Sequence, residues 1–484
     1  MSESQARGSG DMDRDTFRRE GHKLVDWIAG YLEEAEHRPV LARVAPGDIV
    51  RALPAGAPEV GEPFEAIFRD FEEILLPGIT HWNHPAFFAY FSITASAPGI
   101  LAEFLAAALN AQAMLWRTSP AATELEQVAL GWLRDLMGLP QTFEGVIYDT
   151  ASVSSLHALA AARQAAVPGV RQLGLAGRAD VPPMRVYASE HAHSSIDKGV
   201  MLVGFGHEAL RKIPADERFR MRPEALERAI AEDRAAGRLP VAVVATVGTT
   251  STTSADPVEA IARICERERI WLHVDAAYAG AAALLPECRP LFAGCERADS
   301  LVVNPHKWLF TPFDLSAFYC RRMDALRAAF SLTPEYLRTS DATRNLMDTG
   351  IQLGRRFRAL KLWMILRWFG AEGLRARLRE HLRLAARFAG WVDAHPEFER
   401  VAPAPFSVVC FRARPAALQG NEPALRSLNE RLLEAVNGSG EVFLSHTVLD
   451  GRYAIRMAIG NIRTEERHVK RAWELLQEAL QRVR

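Results

Sequence analysis

The sequence predicts an α/β protein: a doubly wound, mostly parallel sheet preceded by a helical arm and followed by a smaller α+β segment. Three observations carry this. Between residues 91 and 370, short apolar runs alternate with helical stretches, the pattern of parallel strands joined by crossover helices. Several runs end in a polar residue, and parallel strands deliver their functional groups at their carboxyl ends. The flanks lack that alternation. Residues 1–90 hold two helical stretches, 17–34 and 64–75, with Pro- and Gly-rich connectors around 54–63. Residues 371–484 open with an Arg- and Ala-rich helix and turn strand-like at 406–412 and 453–458. Within the central segment, strands are expected at 145–148, 184–188, 242–246, 271–275 and 300–303.

The last of these runs leads straight into Asn304, Pro305, His306, Lys307 and Trp308. Lys307 is flanked by Val302, Val303, Leu309 and Phe310. A lysine is costly to bury because its charge must be desolvated, paired or lost. A desolvated amine with weakened proton affinity suits Schiff-base chemistry. About thirty residues earlier, the run 270–278 contains Asp275, and small residues follow at 279–283. Pyridoxal 5'-phosphate (PLP) needs such a pair: a lysine for its aldehyde, and an acid that keeps its pyridine nitrogen protonated so that the ring accepts electrons. A third element is the strand 145–148, which enters a hydroxyl-rich turn and then a helical segment, 156–166. A helix N-terminus with free N–H groups and hydroxyls suits a phosphate dianion.

With these motifs stand HPAFFAYF at 84–91, TSPAATELE at 118–126, AHSS at 192–195, ATVGTT at 245–250, HVDAAYAG at 273–280 and LGRRFR at 353–358. Over nearly its whole length the chain resembles the group II PLP-dependent decarboxylases, in the branch of the aromatic L-amino-acid decarboxylases. The resemblance implies a type I PLP-transferase (aspartate-aminotransferase-like) fold, with segments 1–90, 91–370 and 371–484 as the dimer-wrapping arm, the large PLP-binding domain and the small domain. It implies that Lys307 forms the internal aldimine, that Asp275 pairs with the pyridinium nitrogen, and that His193 stacks on the ring with Ala277 against the opposite face. Thr246 is placed beside the cofactor, and Ala151, Ser152, Asn304 and His306 around its phosphate. It also implies a homodimer with the active site at the subunit interface.

For the substrate, the resemblance points to Trp82, Tyr90 and Phe91, with Met114 from the neighbouring subunit. That makes an apolar slot for an aromatic side chain. A glutamate-type substrate would need a basic group, and this segment holds no Lys or Arg before Arg117. Gly354 leaves room for an indole. One departure bears on the product. In the family, a mobile loop carries a tyrosine that protonates the substrate's α-carbon after CO2 has left. The matching stretch here, 338–350, contains neither tyrosine nor histidine, and Leu346 and Thr349 hold the corresponding positions. General acid catalysis needs a titratable group, and leucine has none. The first expectation is decarboxylation to the aryl amine and CO2. The alternative is an aromatic aldehyde synthase, giving aldehyde, NH3, CO2 and H2O2.

Composition narrows the class further. A formal net charge of −1 leaves no basic field for nucleic acid and no polybasic membrane anchor. Five cysteines without a Cys-x-x-Cys point to a reducing cytoplasm rather than a disulfide framework or a zinc site. The first sixteen residues are polar and mixed in charge, unlike a signal peptide. The apolar stretch 100–116 is interrupted by Glu103, Asn110 and Gln112, so no bilayer span is expected there.

Overall fold

The computed structural model describes residues 10–332 and 345–484. Seven strands form one sheet: β1 (Glu144–Tyr148), β2 (Met184–Ser189), β3 (Leu210–Ile213), β4 (Leu239–Thr246), β5 (Trp271–Asp275), β6 (Ser300–Val303) and β7 (Ser316–Cys320). Their order is β1-β7-β6-β5-β4-β2-β3, and every adjacent pair is parallel except the two made by β7. The central strands are buried along almost their whole length, which is why they read as continuous apolar runs. A second, antiparallel sheet holds β8 (Phe398–Arg400), β9 (Val408–Ala413), β10 (Ser445–Leu449) and β11 (Arg452–Ala458) in the order β10-β11-β9-β8.

Two differences from the sequence reading affect the site. β7 is not among the expected strands. Its five residues, Ser316 to Cys320, are all buried, and it runs antiparallel between β1 and β6. The hydroxyl-rich residues after β1 are not a turn before a helix but its first turn, since the helix spans Ala151–Ala166. No proline or glycine interrupts them, and Ser154 is held inside by its hydroxyl bonds to the Thr150 carbonyl at 3.2 Å and Ser316 Oγ at 2.9 Å.

By compactness the chain forms two units. One comprises Met1–Phe87, Glu430–Leu444 and Arg463–Arg484; the other comprises Phe88–Asn429 and Ser445–Ile462. In the first unit, Asp13 caps the helix Arg14–Glu34 by accepting the Asp15 and Thr16 N–H groups. Trp27 of that helix packs edge-on against Phe68 and Phe71. Glu36 is gripped by Arg467 at 2.7 Å and His468 at 3.0 Å, which together hold its carboxyl down at about 2. The second unit contains both sheets. At its centre Tyr278 is stacked between Phe91 and Trp308, with ring centroids 3.9 and 4.7 Å away. No helix among the described residues is long and apolar enough to cross a membrane.

Candidate active site

The parallel register brings three strand ends together. Thr246 at the end of β4 lies opposite Asp275 at the end of β5, and Asp275 lies opposite Val302 on β6. The ladder then continues past the strands: Ala276 N–H donates to the Val302 carbonyl at 3.0 Å, and Asn304 N–H to the Ala277 carbonyl at 2.9 Å. A one-turn helix, Pro305–Trp308, follows and turns Lys307 toward Phe91, whose ring centroid is 5.1 Å from Nζ. Close approach explains the small residues here. A Cβ on Gly280 would lie 2.7 Å from Val303 Cγ2, and one on Gly248, at φ +93°, would lie 2.5 Å from the Ala279 Cβ.

These residues surround a cavity of about 240 Å³. Lys307, Asp275, Thr246, Asn304 and His306 line it, as do His193, Ala277, Ala151 and Ser152. Asp275 is only 6% exposed, and its Oδ1 accepts the Ala277 N–H at 3.0 Å. Burial lowers the proton affinity of the Lys307 amine; Asp275 opposes the shift and Arg456 adds to it. His306 is neutral: burial pulls it down to about 3, and its Nδ1 accepts the Leu315 N–H at 2.9 Å. His193 is exposed, and partial desolvation lowers its proton affinity. Its Nδ1 accepts the Ser195 N–H at 3.1 Å, so the neutral ring carries its proton on Nε2.

The cavity has a donor set waiting for a ligand. Thr246 Oγ1 and Asn304 Oδ1 are buried without hydrogen-bond partners, although buried polar groups are as a rule satisfied. The first turn of the helix Ala151–Ala166 presents its N–H groups to the same space. An amine, a carboxylate, two orphaned polar side chains and a helix N-terminus match the functional groups of PLP: an aldehyde, a pyridine nitrogen, a ring hydroxyl and a phosphate.

The profile described as "pyridoxal-dependent decarboxylase conserved domain" matches residues 46–414. The chain belongs to the pyridoxal-dependent decarboxylase family. Its cofactor is therefore PLP, and its fold is that of the type I PLP enzymes. Among relatives of this decarboxylase, the phenylacetaldehyde synthase of Arabidopsis thaliana is 42% identical and the aromatic-L-amino-acid decarboxylase of Sus scrofa is 42% identical, each alignment covering 96% of both chains. A crystal structure of Oryza sativa TDC with PLP and tryptamine superposes with a TM-score of 0.94 at 38% identity, covering 98% of this chain and 99% of that one.

The residues singled out from sequence fall into two groups. All nine assigned to the cofactor line the one cavity. Of the substrate candidates, Phe91 lines it as well. Tyr90 instead turns its ring outward, 55% exposed, from a left-handed backbone at φ +50°. Trp82 belongs to the other unit, where it stacks on Phe87 with centroids 4.3 Å apart. Met114 and Gly354 do not line the lysine cavity. Gly354 sits beside Gln112, whose Oε1 accepts the Arg355 N–H, and the Met114 carbonyl accepts the N–H of Met347, the residue after Leu346. Tyr336 and positions 338–344 lie outside the described residues. Sequence reasoning missed Phe313, Tyr278 and Arg456. Tyr278 stood in a motif already quoted, whereas Arg456 comes from β11, far along the chain, with no local pattern to mark it.

Proposed function

We propose that this enzyme removes the α-carboxyl group of an aromatic L-amino acid, releasing CO2 and the aryl amine, with Lys307 as the lysine that carries PLP. When bound, PLP supplies an electron sink for the bond that breaks. Lys307 supports this role because burial favours its unprotonated, nucleophilic form. Asp275 would keep a proton on the cofactor's ring nitrogen, and its backbone is fixed by the β4–β5–β6 ladder. His193 presents the Nε2–H side of a neutral ring, and Thr246 and Asn304 offer their unpaired polar atoms. The observation that carries the reading is a carboxylate at the end of β5 and an amine on the one-turn helix just after the neighbouring β6, walled by the rings of Phe91, Tyr278 and Phe313. Those rings favour an apolar, flat side chain and exclude water from the bond that breaks. The Sus scrofa relative's name and the tryptamine in the Oryza sativa structure agree with an aromatic substrate.

A second reading rests on one specific observation. Leu346 is buried, and the Thr349 hydroxyl is also buried and already donates to the Leu346 carbonyl at 2.6 Å. In the described turn Leu346–Thr349 the titratable side chain is Asp348, which accepts the Ser331 hydroxyl at 3.0 Å. A turn without a free acid supports the aldehyde-forming outcome, in which amino acid, O2 and H2O give aldehyde, CO2, NH3 and H2O2. Incubating the holoenzyme with tryptophan, phenylalanine and tyrosine while measuring amine, aldehyde and peroxide separates the readings. Amine without peroxide supports the first; peroxide equal to aldehyde supports the second.

We further propose a homodimer in which Met114 serves the lysine cavity of the second copy. An apolar groove of about 650 Å³, lined by Leu101, Phe104, Leu105, Trp363 and Trp368, supports such an association. The segments 1–90, 91–370 and 371–484 stand as a proposal for domains, supported by the strands of each sheet falling within one segment. A cytoplasmic location is likewise proposed, in keeping with five buried free thiols.

A further inference from the structure

The reactive amine and a guanidinium share one aromatic ring. The Arg456 guanidinium carbon lies 4.7 Å from the centroid of Phe91, the ring that Lys307 Nζ approaches at 5.1 Å. Arg456 is 3% exposed. Its Nε–H donates to the Ser251 carbonyl at 3.0 Å, its Nη1–H to the Tyr90 carbonyl, and its Nη2 has no hydrogen-bond partner. No carboxylate forms an ion pair with it among the described residues. The ionisable neighbours it does have, Cys410 and Tyr278, are held neutral by burial. A buried, uncompensated charge is expensive, so its place against this ring calls for a reason.

The backbone supplies the link. Tyr90 is held left-handed by two bonds: its carbonyl accepts from Arg456, and its N–H donates to Ser445 Oγ at 3.2 Å. That turn sends the Tyr90 ring outward and leaves Phe91, 8% exposed, facing the lysine. The charged and titratable groups facing Lys307 are Asp275 from β5, Tyr278 just after it and kept neutral by burial, His193 from the loop after β2, His306 from the helix after β6, and Arg456 from β11. Asp275 favours a proton on the amine, and the histidines are neutral. Arg456 is therefore the fixed positive charge in the set.

We propose that Arg456 is a positioning residue for Lys307: it sets Phe91 against the amine and, as a cation on that ring, keeps the amine free of its proton and ready to condense with a carbonyl. The idea rests on the reading of Lys307 as the cofactor lysine. Like charges in one buried environment disfavour each other, and moving an amine's titration midpoint by about one on the pH scale changes its unprotonated fraction roughly tenfold below that midpoint.

The test is covalent capture of PLP by the full-length, cofactor-stripped protein under borohydride, followed against pH with the adduct located by peptide mapping. Arg456→Met should move the midpoint of capture at Lys307 upward by about one on the pH scale, a roughly tenfold loss of capture below the midpoint. Arg456→Lys, which keeps the charge, should leave the midpoint where the parent has it. An Arg456→Met midpoint that stays put, with the adduct still on Lys307, overturns the proposal. If Arg456→Met does not fold, Arg456→Lys decides alone: a parent-like midpoint supports the proposal, and a midpoint displaced by about one on the pH scale overturns it. An adduct absent from Lys307 in the parent would instead refute the cofactor-lysine reading.

Discussion

The carboxyl edge of the seven-stranded sheet and the turn Leu346–Thr349 are built on opposite terms. At the sheet edge, ladder bonds fix the backbone, and the side chains they present include an amine, a carboxylate and two unsatisfied polar atoms. At the turn, other elements fix the backbone, and its side chains turn inward. Tyr148 donates its hydroxyl to the Thr349 carbonyl, Ile351 N–H reaches His157 Nε2 at 3.4 Å, and Gln352 reaches Asp149 at 3.3 Å. Leu346 and Met347 pack into the protein, Met347 against Leu115. On the function proposed above, the contrast makes bond breaking and product choice separable: the first is assigned to the sheet edge, the second to what the turn can donate.

The sharpest way to break that comparison acts on the sheet edge. Lys307→Ala removes the proposed covalent anchor and should lower turnover on the order of 10⁴–10⁶-fold, measured as CO2 release, while the protein stays folded by circular dichroism. Residual turnover near the parent's would place the chemistry elsewhere. A smaller effect is expected at the turn. Leu346→Tyr restores a proton donor and should raise the ratio of amine to peroxide, by roughly ten- to a hundredfold, if the parent makes aldehyde. An unchanged ratio would detach product choice from this position. The smallest effect is on stability. A methyl at Gly350 would lie 2.8 Å from His157 Cε1 and 3.2 Å from Tyr148 Cε1, so Gly350→Ala should cost about 1–3 kcal/mol in urea unfolding. No loss would mean that the turn is not latched onto those two rings.

Legibility followed the same division. Asp275 and Lys307 were readable because Asp275 ends a short apolar run and Lys307 closely follows another, and a strand end is a local pattern. Thr246 and Asn304 were found through motifs, but their unsatisfied atoms appear only once register places them around one cavity. β7 escaped because an antiparallel strand inserted between β1 and β6 has no crossover helix to announce it. Tyr90 and Phe91 looked equivalent in sequence, and a left-handed backbone at Tyr90 sends their rings opposite ways. Arg456 could not be read locally, since its meaning depends on a ring and an amine brought to it by the fold.

The most direct measurement is the site of covalent attachment in the native holoenzyme. Borohydride reduction, proteolysis and mass spectrometry should find a single phosphopyridoxyl group on the peptide containing Lys307, and none in Lys307→Ala. A tag on another lysine, or on none, would contradict the account.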